Sequence, residues 1–250
     1  MRTIRSILLF FLAAAAAHAA TPEELLAQVD AQRTVPNLSF VMTITSMDGE
    51  KALDYNTLWG YVQGVGSANR SLLSFVDPAS VKGRKMLMDG NIVYLLFPRT
   101  TNPIRLSPLQ VLTGQASNGD VVRTAFAADY DVASLTDATR DGVDCWQFSL
   151  ALKPSRKDSY YARVGLWVEK ATLHPVYAEF FSGDRMLKKA VYRDFRAAMG
   201  KQIPFLVDIT DADSPNKHTT MAFVSVSQKS LPDTAFRRDY LPSWMPEQPR

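Results

Sequence analysis

Leu38-Ser39-Phe40-Val41-Met42-Thr43-Ile44-Thr45 decides the architecture: Leu38, Phe40, Met42 and Ile44 alternate with Ser39, Thr43 and Thr45 at the period of an extended strand. Asp48-Gly49 then ends the strand with turn chemistry. Upstream the signals are helical. Thr21 stands as N-cap, Pro22 at the first helical position, and Glu23 and Glu24 in the first turn of a short helix that stops before Pro36. Downstream, strand candidates follow at 55–63, 70–76, 84–88, 91–97, 143–152, 160–169, 175–181, 186–195, 203–210 and 219–227. With the first strand they make about eleven. Asp89-Gly90 is a tight-hairpin signal. Connections this short predict antiparallel neighbours in a meander.

Residues 98–139 break the rhythm. They carry Pro98, Pro103 and Pro108, then Leu109-Gln110-Val111-Leu112 before Gly114, then Val121, Val122 and Phe126. A strandless insertion of that length in a compact domain reads as a lid or binding loop, or as a helical hairpin that plugs one end of a barrel. The proline-rich tail from Leu231 to Pro249 reads as a surface-hugging or frayed end. At the other terminus, Arg2 and Arg5 precede an apolar run and Ala17-His18-Ala19. These are the parts of a secretory signal peptide over 1–19, and the run is too short to span a bilayer. Removal leaves 20–250 as a single exported domain, soluble in the periplasm, with no cysteine placed for a lipid anchor.

The chain has 250 residues, 46% hydrophobic and 21% charged, a composition that folds rather than stays disordered. Its formal charge of +3 falls to about +1 without the two leader arginines, leaving no basic face for a nucleic acid. Cys145 is the single cysteine, so an intramolecular disulfide and a multi-cysteine metal site are excluded; it reads as a small inert thiol on a strand. His174 and His218 lack ligand spacing and read as structural. Asp208, Asp211 and Asp213 are the one acidic group with hydrolytic potential, yet Asp211-Ala212-Asp213-Ser214-Pro215-Asn216 is ordinary turn chemistry. No catalytic set, cofactor or metal is expected.

What remains is apolar side chains on alternate strand positions. Trp146, Phe148, Leu150 and Leu152 share one face, as do Val164, Leu166 and Val168, and Phe205, Val207 and Ile209. A large sheet with few helices must bury that face against a thin cover. Small barrels are commonly filled, which is the competing reading, whereas strand methionines such as Met42 and Met88 suit a surface that adapts to variable apolar partners.

The run from Arg70 through Asp77-Pro78 to Lys82-Gly83, then Lys85-Met86-Leu87-Met88, Asn91-Ile92-Val93-Tyr94-Leu95-Leu96-Phe97-Pro98 and Ile104-Arg105-Leu106, resembles the bacterial outer-membrane lipoprotein-sorting proteins, relatives of LolA. The resemblance extends over nearly all of 20–250 in order of elements. It implies a mainly β fold, an incomplete antiparallel barrel of about eleven strands wrapped around a helical lid. It also implies carriage of acylated lipoprotein or lipid through the periplasm, between an inner-membrane transporter and an outer-membrane acceptor. An accessory module that senses lipid is the alternative. On this reading Phe40, Met42, Leu73, Phe75, Met88, Tyr94, Trp146, Phe148, Leu166 and Phe205 line the cavity. Leu109, Val111, Leu112, Val121 and Phe126 form the lid, and Arg70 stands nearest to the arginine that locks the lid in LolA. The region 123–132 departs from the family pattern, keeping only the Phe and an acid, and Arg70 is followed by Ser71 rather than proline.

Overall fold

The computed structural model describes residues 20–64, 69–90, 92–107, 111–117, 120, 125–156 and 161–249; the leader expected over 1–19 lies outside them. Among the described residues, no helix is long and apolar enough to cross a membrane. The chain begins with helix α1, Pro22–Arg33. Its start is fixed by a reciprocal cap: Thr21 Oγ1 accepts from the Glu24 N–H and the Thr21 N–H donates to Glu24 Oε2 at 2.9 Å. Leu25, Leu26 and Val29 are buried against the sheet.

Strands β1 Leu38–Asp48, β2 Lys51–Gln63, β3 Arg70–Asp77, β4 Lys85–Asp89, β5 Ile92–Leu96 and β6 Ile104–Leu106 form one meander. A second runs through β9 Tyr130–Arg140, β10 Val143–Leu152, β11 Arg163–Glu169, β12 Pro175–Ser182, β13 Arg185–Ala198, β14 Lys201–Asp211 and β15 Lys217–Gln228. The two join where β1 pairs β15, Leu38 opposite Gln228 and Asp48 opposite Lys217. The result is one antiparallel sheet of thirteen strands, with β6 and β9 at its edges among the described residues. It is not closed into a barrel. Residues from α1 and from strands near both edges, such as Val93 and Phe148, nonetheless meet in one core cluster, so the sheet curls around a common interior.

All eleven expected strands have counterparts; β6 and β9 are additional. The expected helical character of 98–139 is corrected. Its described residues form β6, all of β9 but its last residue, and a small hairpin of β7 Val111–Thr113 with β8 Ala116–Ser117, joined by turns and irregular chain. The period-2 signal of β9 is broken because Val132 pairs with Leu150 while Ser134 pairs with Ser149, so a bulge at Ala133 puts Val132 and Leu135 on the same side at a spacing of three.

The hairpin sits on the inner face of β1 and β15 because its turn is a glycine. Gly114 has φ +55°, and a Cβ there would lie 2.3 Å from Thr219 Oγ1 and 2.7 Å from Ser46 Oγ. The close approach lets the Gln115 N–H donate to Thr219 Oγ1 at 2.6 Å. Gly114→Ala is therefore expected to lift the hairpin and cost about 1–3 kcal/mol, seen as a Tm lowered by roughly 3–10 °C. An unchanged melting curve would show that the turn has slack.

The outer face of β2–β5 is also covered. Tyr61, Leu72, Leu87 and Leu96 form a second cluster with Ala235, Phe236, Leu241 and Trp244 from the C-terminal segment. Lys85 Nζ donates to the carbonyls of Leu241, Pro242 and Trp244, and Tyr61 Oη to that of Glu247 at 2.5 Å. The tail hugs the surface.

Candidate functional site

The interior of the curl holds a cavity of about 120 Å³. One wall is apolar and comes from the middle of the sheet: Phe40 and Met42 of β1, Val207 and Ile209 of β14, Met221 and Phe223 of β15. Phe223 packs edge-on against Phe40 at 5.2 Å and against Phe205 at 5.9 Å. Phe180, Ala190 and Tyr192 continue that wall across β12 and β13. Tyr192 faces the space, and desolvation pushes its phenol up to about 12.

The cover is built from the end of α1 and residues 125–130. Asp30 Oδ2 accepts from the N–H groups of Phe126 and Ala127 at 2.6 and 2.7 Å, and Asp30 Oδ1 pairs with Arg33 at 3.3 Å. The Arg33 guanidinium lies 5.1 Å from the Phe126 ring centre. Lys153 Nζ donates to the Ala127 carbonyl at 2.7 Å, and Arg156 pairs with Asp129 at 3.0 Å. Burial pushes the Asp30 carboxyl above its ordinary range, against the opposing pull of Arg33 and of the two backbone N–H groups. A raised value means that the folded state takes up the proton first. Titration of Asp30 therefore favours the fold most below the ordinary carboxylate range, and this contribution is lost as the pH rises through the raised value.

Asp30→Ala removes the one acceptor of both cover N–H groups and strands a buried guanidinium. The expected loss is about 3–5 kcal/mol, measured by urea denaturation. A loss under about 1 kcal/mol would mean that Asp30 does not latch the cover.

The sequence-derived cavity residues divide into three groups. Phe40 and Met42 line the space. Leu73, Phe75, Met88, Phe148, Leu166 and Phe205 are buried in the surrounding core, and Trp146 packs on it half-buried. Tyr94 is on the wrong face: it pairs with Leu87 and packs against the tail-covered cluster, while its neighbours Val93 and Leu95 point inward. Among the lid residues, Phe126 lines the cavity and Leu112 packs on the core. Leu109 and Val121 lie outside the described residues, as does the side chain of Val111.

Arg70 is also corrected. It has the parity of Leu72, an outer-face residue, and it pairs with Asp233 at 2.7 Å and lies 5.3 Å from the Phe236 ring centre. It ties down the tail rather than the cavity cover.

Reading by residue type missed Asp30 and Arg33, although a signal existed: Leu26, Val29, Asp30 and Arg33 fall on one helical face, which places two charges on the buried side. It also missed Lys188 and Asp120, which meet inside the molecule. The acids once weighed for hydrolysis have structural partners: Asp208 accepts from Thr220 Oγ1 at 2.7 Å and pairs with Arg193, and Asp213 pairs with Arg185. His174 stacks on Phe195 at 4.0 Å, and burial pushes its imidazole down. Burial likewise pushes the Cys145 thiol up. Among the described residues no cluster of His, Cys, Asp or Glu could hold a metal ion.

The site is thus an open antiparallel sheet curled around an apolar cavity, with the end of α1 and residues 125–130 packed against it. A family model described as "Uncharacterized protein" matches residues 67–243. A LolA superfamily protein from Nitrosomonas europaea is 29% identical, with a TM-score of 0.78 over 89% of this chain and 100% of that one. A Vibrio parahaemolyticus domain assigned to outer-membrane lipoprotein sorting shares the fold at 17% identity, with a TM-score of 0.75 over 88% and 97% of the two chains. So does a DUF1329 family protein from Desulfovibrio piger, at 21% identity and a TM-score of 0.74 over the same shares. No curated protein matches the sequence. The chain belongs to the family that the matching model describes, and it is LolA-like in fold.

Proposed function

We propose that this protein binds the acyl chain of a lipoprotein or lipid in its cavity, and carries it through the periplasm toward the outer membrane without catalysing a reaction on it. The observation that carries the reading is the cavity itself, apolar along β1, β14 and β15 and bordered by a segment held through a few polar contacts. Burying each methylene is worth ~0.8 kcal/mol, so a sixteen-carbon chain would lose about 12 kcal/mol on entering water. A carrier must offset that loss and still release the chain.

The cavity of about 120 Å³ is smaller than the roughly 300–1,000 Å³ of ordinary ligand pockets. Under this proposal it is a contracted form, and a long chain enters as the cover moves. On this reading Phe126 and Leu112 leave the core when the chain arrives and return when it departs, with Leu109, Val111 and Val121 as further lid residues. The recovered contact area keeps loading and release close to balance. The leader over 1–19 would supply the export, and an inner-membrane donor and outer-membrane acceptor would be the partners.

Mass spectrometry of the organic extract of gently purified protein tests the reading: acyl-chain lipid in near-stoichiometric amount is expected, and a lipid-free extract from protein expressed in a bacterial envelope would contradict it. Transfer of labelled lipid from donor to acceptor vesicles separates carriage from sensing, since a sensor binds without delivering.

A further inference from the structure

Next to one wall of the cavity lies a charge that an acyl chain does not need. Lys188 of β13 is 8% exposed. It has the inward parity of Ala190 and sits opposite Phe180 of β12, and both of those residues line the cavity. Its ammonium donates to Asp120 Oδ2, to Ser117 Oγ at 3.2 Å and to the Gln115 carbonyl at 3.4 Å. Asp120, itself a lining residue, also accepts from Tyr161 Oη at 2.9 Å and from the Ser117 N–H and hydroxyl at 2.8 and 2.7 Å. Four donors thus converge on one carboxylate at the edge of an apolar space. Tyr161 lines the cavity and Lys188 stands on β13 beside the lining residues Phe180 and Ala190; the other two belong to Ser117 of β8, three residues before Asp120.

A buried ion pair contributes little stability beyond an apolar pair of the same shape, because desolvating both charges offsets their attraction. Stability alone does not account for a lysine beside this wall. We propose that Lys188 and Tyr161 form a receptor for the anionic head of an amphiphile whose chain lies along the apolar wall, and that Asp120 fills the receptor when the cavity is empty. The ligand class is an alkyl chain ending in a carboxylate or a phosphate monoester. Its oxygens take the place of the Asp120 carboxylate on the Lys188 ammonium and the Tyr161 hydroxyl, with no covalent step. The same exchange would part Asp120 from β13, while Lys188 keeps its bonds to Ser117 Oγ and the Gln115 carbonyl. This inference rests on the acyl-chain reading above and adds a head-group preference to it.

The test measures affinities of the full-length mature protein for palmitate, hexadecyl phosphate, hexadecanol and inorganic phosphate. Palmitate and hexadecyl phosphate are expected to bind about tenfold or more tighter than hexadecanol, in line with a charge-assisted hydrogen bond, and inorganic phosphate only weakly. Lys188→Met should bring the ratio of anionic to neutral affinity close to one. Asp120→Asn should raise it, because the internal competitor is gone; that variant carries the test if Lys188→Met does not fold. Equal binding of hexadecanol and palmitate to the wild type, or an unchanged ratio in both variants, overturns the head-group receptor and leaves the acyl-chain reading intact. Inorganic phosphate binding as tightly as hexadecyl phosphate overturns the amphiphile assignment. Failure of all three alkyl ligands to bind overturns both.

Discussion

Trp244→Ala is expected to remove about 3–5 kcal/mol of folding stability, a large share of the roughly 5–15 kcal/mol that a domain possesses. Trp244 is 5% exposed and meets the Tyr61 ring edge-on at 6.1 Å, over Leu72, Leu87 and Leu96. Its carbonyl also anchors Lys85, whose ammonium burial pushes down. Truncation opens a void between the tail and the outer face of β2–β5, and the remaining clamps are exposed or partly exposed pairs such as Arg70–Asp233 that cannot compensate. Urea denaturation should show the loss, with increased binding of an apolar dye as the tail detaches. Met245 is 81% exposed, and Met245→Ala should stay within about 0.5 kcal/mol of wild type. A Trp244→Ala midpoint equal to that of the control would show that the tail is a passive appendage. The functional consequence of a seated tail is that the sheet presents its apolar surface only inward.

The same covered face explains which parts of the architecture were legible in the sequence. In β10 and β11 the outer face is wetter, so alternation gave both the strands and their inward residues correctly, Phe148 opposite Leu166. In β4 and β5 both faces are buried, so Lys85-Met86-Leu87-Met88 and Ile92-Val93-Tyr94-Leu95-Leu96 read as unbroken apolar runs with no parity. That is why Tyr94 was assigned to the cavity and Val93 was not. Arg70 was misjudged for the same reason: only the tail's position, which comes from residues more than 160 positions away, shows that its face is the outer one. Lys188 was hidden differently, since Lys188-Lys189 looks like a solvated pair, and only register with Ala178 and Ala190 separates the inward lysine from the outward one.

The distinction between core and lining residues also decides how the cavity is best blocked. Aspartate at Phe148 or Leu166, both 0% exposed within the core, would place an unpaired charge in the scaffold and unfold it, so loss of lipid there would say nothing about binding. Ala190 is the better position. It is 2% exposed, lines the cavity, and pairs with Ala178 and Ile209, so a larger side chain projects into the open space between small and aliphatic neighbours. Ala190→Trp is expected to cost about 1–3 kcal/mol from crowding and to keep the fold. The indole would occupy chain space permanently; excluding even four methylenes withdraws ~3 kcal/mol of binding, more than about a hundredfold in affinity. The variant should elute as the wild type does, melt cooperatively, and yield an organic extract nearly free of the lipid that the wild type retains. Wild-type lipid content in a folded Ala190→Trp protein would place the ligand elsewhere on the molecule and remove the cavity from the account of function.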